Sequence, residues 1–374
     1  MQNVLYKKKV YSYAKLNIGL EVPFRYLSGY HHIVSLFVPI NYFDEIEFSL
    51  VPDNKFELEF QNVLPFKENK SLEGAFFKKN IKSNLLFKAF EFTKIISVEC
   101  KKNGFIETAK ILNKPFGIHV KIKKMVPSPS GLGAGSSNAA SLIKFILEYI
   151  KKNIKNSFEK KNISKFIQDK ALSIGADVPF FISCRPALVS GIGEIKKNKK
   201  IPYLSGILAV PRFGFSTPVM YSGLKKTLQC ENYLKNVIKA EKSYNKLIKV
   251  FLAEINKIQN NNSLAYLIHD FLLEKNYGYM IKNEFFYAAK EIYSDETKIL
   301  EKAMDDISMQ IKNMVSKAGL QREIYMSMSG SGASFYSFFV SEKNNRVLNE
   351  ILDKVCQIAT KKYPEIHWKV WNTI

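Results

Sequence analysis

One segment restricts the possible folds of this chain more than any other. It is Pro-Ser-Pro-Ser-Gly-Leu-Gly-Ala-Gly-Ser-Ser-Asn-Ala-Ala-Ser, residues 127–141. Before it, "FGIHVKIKKMV" (116–126) alternates apolar and polar residues, which predicts a strand. After it, Ala139, Ala140, Ile143, Ile146, Leu147 and Ile150 fall on one helical stripe. The order is therefore strand, glycine loop, helix. A helix start leaves backbone N–H groups unpaired and carries a partial positive charge. Glycines allow that backbone to approach an anion closely, so the segment predicts a phosphate site. Asn138 and the adjacent serines are expected to cap the helix. The segment lacks the Gly-Lys-Ser/Thr ending of a P-loop and the spacing of a dinucleotide loop.

Other elements follow from periodicity. From Tyr13 to Val22 the even positions are Ala14, Leu16, Ile18, Leu20 and Val22. The odd face carries Lys15 beside Asn17 and is expected to point away from the core. Further strands are predicted at 33–40, 45–51 and 55–60, and an amphipathic helix at 83–96. A lysine-rich connection (151–163) precedes a helix that Gly175 should end. A strand is expected near 209, and a mostly helical, Lys/Asn-rich segment at about 223–320. The end returns to strand at 325–340, then helix at 344–361 and a short last strand.

With 374 residues and a 46% apolar fraction, the chain can bury the cores of two domains. It has no apolar run of membrane-spanning length, and its first residues are not those expected of a signal peptide. Cys100, Cys184, Cys230 and Cys356 are widely spaced, as reduced thiols of a cytoplasmic protein would be. The net charge of +22 is spread along the chain, and its densest cluster, "IKKNKKIP" (195–202), is expected to be a solvated turn. That distribution argues against nucleic acid as a dedicated partner and suggests a general attraction for phosphorylated molecules.

The loop Pro-x3-Gly-Leu-Gly-x-Gly-Ser-Ser-x-Ala-Ala resembles the second motif of the GHMP small-molecule kinases. "AKLNIGLEV" and "MSGSGASFYSFF" resemble the first and third, in the right order. Within that superfamily, residues 11–50, 83–90, 116–221 and 325–340 are similar to the 4-diphosphocytidyl-2-C-methyl-D-erythritol kinase family. The similarity includes "SGYHH", "IGADVPFFIS", "SGIGE" and "FSTPVMY". Two departures stand out. Ser28 occupies a position where the family has Asp, and the chain is longer around 97–115 and 225–320.

The resemblance implies an α+β, two-domain GHMP kinase-like fold with the active site in the cleft between domains. The N-terminal, ATP-binding domain would span 1–175. The C-terminal domain would span 176–374, with an enlarged helical insertion at about 225–320. It implies transfer of the ATP γ-phosphate to an alcohol, with ATP and Mg²⁺ as cofactors. The acceptor would be a small molecule carrying a cytidine diphosphate group, and the protein a cytoplasmic monomer or homodimer.

Residue roles follow from the same matches. Asn84, Pro127, Gly131, Leu132, Gly133, Ala134, Gly135, Ser136 and Ser137 would hold the nucleotide, with Ser136 or Ser137 also on the metal. Asp177 is the candidate base and Lys15 the catalytic cation beside it. Asp177 also stands where a helix cap belongs. Asn17, Tyr30, His31, Tyr221, Gly330 and Gly332 would bind the acceptor, with Tyr30 and Tyr221 sandwiching its cytosine. His32 reads as surface. The alternatives are a mevalonate, phosphomevalonate or homoserine kinase, a non-catalytic sensor of the same fold, and a basic RNA-binding protein.

Overall fold

The strands follow the alternation, and several run longer than the pattern alone predicts. A computed structural model describes residues 4–63, 81–224, 233–259, 272–275 and 278–374. It is an α+β structure whose chain divides into two units. Unit one is Met1–Ala14, Tyr42–Pro127 and Gly133–Cys184; unit two is Lys15–Asn41, Ser128–Leu132 and Arg185–Ile374. Strands β1 (Tyr6–Arg25) and β2 (His31–Val51) contribute to both. The latter merges the two strands expected at 33–40 and 45–51.

In unit one, β3 (Phe56–Asn62) is followed by helices α1 (Leu85–Lys102) and α2 (Ile106–Leu112), then β4 (Gly117–Lys124). Residues 45–51 of β2 pair antiparallel with β4, and β3 pairs parallel with β4. Helices α3 (Ala134–Asn153), α4 (Ser157–Lys170) and α5 (Val178–Ser183) complete the unit. Leu86, Ala89, Phe90 and Ile96 of α1 are buried, and α1 packs on α3. Each large apolar side chain buried there stabilises by roughly 1.5–3 kcal/mol.

The lysine-rich connection is much shorter than expected. Helix α3 runs to Asn153 and α4 starts at Ser157, because Asn156 caps it by accepting from the Glu159 N–H at 3.1 Å. Gly175 does not end the next helix either. That helix stops at Lys170 in a tight turn over Ala171–Ser173.

Two buried carboxylates organise unit one. Glu159 accepts from the Glu107 and Thr108 N–H groups and the Thr108 hydroxyl, each at 2.9 Å. It satisfies the start of α2, whose own N-cap position, Phe105, offers no side-chain acceptor. Asp44, wholly buried, accepts from Lys124 Nζ (2.6 Å), the Met125 and Val126 N–H groups (2.8 Å each) and Asn138 Nδ2 (3.1 Å). Asn138 is therefore not a cap. Helix α3 begins at Ala134 on the left-handed Gly133 (φ 72°), without a side-chain cap bond.

In unit two, residues 33–37 of β2 pair with β5 (Ala187–Gly191), and β5 pairs with β6 (Ile195–Asn198). The first half of the segment expected as a turn, Ile195–Asn198, is thus a mostly exposed strand, where lysines protect a sheet edge. His32 is also not surface. It is buried, its Nε2 accepts from the Gly191 N–H (3.3 Å), and its Nδ1 lies 2.8 Å from the Tyr26 hydroxyl. Burial lowers its pKa.

The second sheet sets Ile366–Asn372 beside Tyr203–Pro211, followed by Phe335–Ser341, Tyr325–Met328, Gly278–Ile281 and Leu272–Lys275. In chain order the elements are β7 (Tyr203–Pro211), α6 (Thr217–Gly223), α7 (Tyr233–Gln259), β8 (Leu272–Lys275), β9 (Gly278–Ile281), α8 (Glu284–Ile292) and α9 (Ser294–Lys317). They continue with β10 (Tyr325–Met328), β11 (Phe335–Ser341), α10 (Arg346–Lys362) and β12 (Ile366–Asn372). The segment expected to be mostly helical supplies α7, α8 and α9. It also supplies β8 and β9, and β9 pairs parallel with β10. Its residues 225–232, 260–271 and 276–277 lie outside the described ones, as does Cys230. Cys100, Cys184 and Cys356 are free thiols. Among the described residues, no helix is long and apolar enough to cross a membrane.

His367, on β12, has its pKa lowered to about 4, chiefly by burial. Between pH 6.5 and 4 the unfolded chain binds a proton there that the folded chain refuses. Stability should therefore be intact above pH 6.5 and fall, by about 3 kcal/mol at this site, as pH drops towards 4. Urea titrations across that window should show a smaller loss for His367→Gln than for the parent chain. Equal losses would contradict the burial argument.

Candidate active site

Unit two gathers three sequence motifs. Lys15 and Asn17 are both buried, at 4% and 1% exposure, so the odd face of β1 does not point to solvent. Alternation holds at residues 6–11 and vanishes over 14–20, where both faces are covered. The Lys15 ammonium donates to Asn17 Oδ1 and lies 4.6 Å from the centre of the Phe37 ring. An aromatic face compensates part of a buried cation's lost hydration. Asn17 Nδ2 donates to Ser35 Oγ (3.0 Å), which in turn donates to the Gly19 carbonyl (2.6 Å). The Tyr336 hydroxyl donates to the Asn17 carbonyl at 2.6 Å, and burial pushes that phenol's pKa up.

The glycine loops meet on this strand. The Lys15 N–H donates to the Leu132 carbonyl at 3.0 Å. The Asn17 N–H donates to Ser329 Oγ (3.4 Å), and Ser329 Oγ donates to the Gly131 carbonyl (3.0 Å). Gly131 has φ +76°, and a Cβ there would lie 2.0 Å from the Ser329 carbonyl oxygen. A Cβ on Gly330 (φ +58°) would lie 3.1 Å from the Gly131 carbonyl oxygen and 3.2 Å from Asn17 Oδ1. Gly332 (φ +89°) abuts Phe215, and Asn283 Nδ2 donates to the Met328 (2.7 Å) and Gly330 (3.0 Å) carbonyls. Leu132 is wholly buried, so its carbonyl rather than its side chain takes part.

His31 and Tyr221 also come together. Their ring centres are 4.9 Å apart at 35°, and Phe285 meets Tyr221 edge-on at 4.8 Å. Tyr30 is 63% exposed.

Unit one carries the other candidates. Gly133, Ala134, Gly135, Ser136 and Ser137 form the start of α3, whose first turn has no acidic residue. Ser137 is buried, and Ser12 Oγ donates to its hydroxyl at 2.8 Å; Ser136 is half-buried. Pro127 is buried. Asn84 Oδ1 caps α1 by accepting from the Leu86 N–H at 2.9 Å. Asp177 occupies the N-cap position of α5, yet its side chain makes no capping bond. Pro179 fits that helix start because its missing N–H costs nothing there.

Sequence reasoning passed over Phe37, Ser35, Ser329 as a bridge, and Asn283. A parity signal was available for one residue outside these motifs. Asp44 lies in phase with the apolar Ile46, Phe48 and Leu50, so a carboxylate stands on a buried face. The bridges at Ser329 and Asn283 join residues 45 to 312 positions apart and leave no local pattern.

The fold and these motifs define a small-molecule kinase of the GHMP type. The model for the GHMP kinases N terminal domain matches residues 98–185, which span the glycine loop and Asp177. The 4-diphosphocytidyl-2-C-methyl-D-erythritol kinase of Fusobacterium nucleatum is 30% identical over 96% of this chain and 99% of its own. That of Leptospira biflexa is 28% identical over 96% and 97%. A crystal structure of 4-(cytidine 5'-diphospho)-2C-methyl-D-erythritol kinase has the same fold, with a TM-score of 0.55 at 19% identity over 98% of each chain. The chain belongs to the 4-diphosphocytidyl-2-C-methyl-D-erythritol kinase family.

Gly131→Ala should cost at least about 2 kcal/mol, from the left-handed backbone and the overlap with the Ser329 carbonyl. A urea midpoint equal to that of the parent chain would mean that the two loops do not meet.

Proposed function

We propose that this chain transfers the γ-phosphate of ATP to the 2-hydroxyl of 4-diphosphocytidyl-2-C-methyl-D-erythritol. The observation that carries the reading is the convergence of Lys15, Asn17, Gly131 and Gly330 in one polar cluster. The start of α3 suits the phosphates, with left-handed Gly133 and no nearby acid in its first turn. Ser136 is the better candidate for Mg²⁺, since the Ser137 hydroxyl is buried and already accepts from Ser12. Such an ion would neutralise charge on the phosphates during transfer.

Asp177 takes the proton from the acceptor hydroxyl. The freed oxygen attacks the γ-phosphorus, and the bond to the departing ADP oxygen breaks. Lys15 offsets the negative charge at the acceptor oxygen, and Asn17 holds the ammonium in place. The cytosine stacks on Tyr30, and His31, steadied by Tyr221, supplies hydrogen bonds. A location in the cytoplasm fits this substrate.

ADP release should be measured with Mg-ATP against the cytidine-linked compound, mevalonate, phosphomevalonate and homoserine. Turnover of the first alone is expected. Turnover of another acceptor would discard the cytosine roles. Binding without any turnover would favour a sensor. Asp177→Asn should lower kcat by about 10²–10⁴-fold with ATP affinity nearly intact, and turnover within about tenfold would overturn the base assignment. His31→Ala should raise the acceptor KM more than it lowers kcat; the reverse would sink its role as a cytosine contact.

A further inference from the structure

Asp44 stands outside every motif described above, yet it holds both ends of the segment that carries the phosphate glycines. We propose that Asp44 is a positioning residue for the nucleotide: it holds the start of α3 in the geometry that receives the phosphates. The proposal rests on the reading that this helix start binds Mg-ATP.

The two carboxylate oxygens divide the task. Oδ1 accepts from the Met125 and Val126 N–H groups at 2.8 Å, where the chain leaves β4. Oδ2 accepts from Asn138 Nδ2 at 3.1 Å, on the residue after Ser137. Lys124, the last residue of β4, donates to the same Oδ2 at 2.6 Å and is itself 6% exposed. One wholly buried group therefore joins the end of the strand to the first turns of the helix.

That placement needs a reason, because a carboxylate beside a phosphate site would repel the ligand. Lys124 supplies it by pairing with Asp44 and cancelling its charge. Burying such a pair is not an economical way to stabilise a fold, since an apolar substitute often does as well. Its directional bonds do what an apolar contact cannot. They hold two backbone N–H groups and one side chain to a single point. The glycines between these anchors give the loop high conformational freedom when it is not held. Fixing its ends in advance lowers the ordering cost that phosphate binding would otherwise carry.

Asp44→Asn replaces Oδ2 with an NH₂ group that faces two donors, Lys124 and Asn138. Mg-ATP binding by calorimetry should weaken at least about tenfold, while the acceptor KM changes less than about threefold. Adding Asn138→Asp returns a carboxylate to the cluster from the helix side, and should restore binding to within about threefold of the parent chain. Unchanged Mg-ATP binding in Asp44→Asn, equal rises in both substrates' KM values, or a double variant no better than the single one would overturn the proposal. If Asp44→Asn does not fold, Asn138→Ser removes one bond and leaves Asp44 with three donors. It should weaken Mg-ATP binding by about threefold without moving the acceptor KM. No weakening there would overturn the proposal equally. A parent chain that binds no Mg-ATP would instead remove the phosphate reading on which this rests. A parent chain that binds Mg-ATP, with variants that bind it as well, would remove the proposal alone.

Discussion

Two glycine loops meet backbone to backbone in unit two, although Gly131 and Ser329 are 198 residues apart in the sequence. The contact is so close that a single methyl group at Gly131 would overlap the Ser329 carbonyl. The rest of the cluster depends on this approach. The Ser329 hydroxyl can bridge the Gly131 carbonyl and the Asn17 N–H only because no side chain separates the strands of backbone. Lys15 then reaches Asn17 Oδ1 from the same strand, while its own N–H is held by the Leu132 carbonyl. Glycine at these positions is a steric requirement as much as a conformational one.

Both units place charge where alternation would place apolar side chains or solvent. Lys15 is buried beside Phe37 and an amide oxygen, and Asp44 is buried beside Lys124 and three further donors. Neither arrangement is the least costly way to fill a core, because each ion gives up its hydration. Each is instead a directional device. The ammonium is kept at a defined point on β1, and the carboxylate ties a strand end to a helix start. Glu159 does comparable work for α2, where the local sequence supplies no side-chain cap.

Several local readings failed for the same physical reason. Asn138 and Gly175 are good helix punctuators by type, yet Asn138 serves Asp44 and Gly175 follows a helix that has already ended. The lysines of 195–198 read as a turn, but pairing with β5 makes them an edge strand. His32 read as surface, but Tyr26 and Gly191 enclose it. Capping and turn preferences are worth about a kilocalorie per mole, whereas a buried polar group left without its partner costs about 1–3 kcal/mol, so the tertiary partner takes precedence.

The strand–loop–helix order, the amphipathic α1, the alternating strands and the family motifs were legible because each depends on residues a few positions apart. Steric and periodic rules act at that range, so the sequence by itself determined an α+β kinase fold with a glycine loop leading into a helix. The tertiary structure alone decided which groups became partners. Asn17 with Ser329, His31 with Tyr221, and Asp44 with Asn138 are separated by dozens to hundreds of residues. Such pairs leave no period or spacing in the chain. They exist because burying a polar group without a partner is costly, and only the folded arrangement can supply the partner.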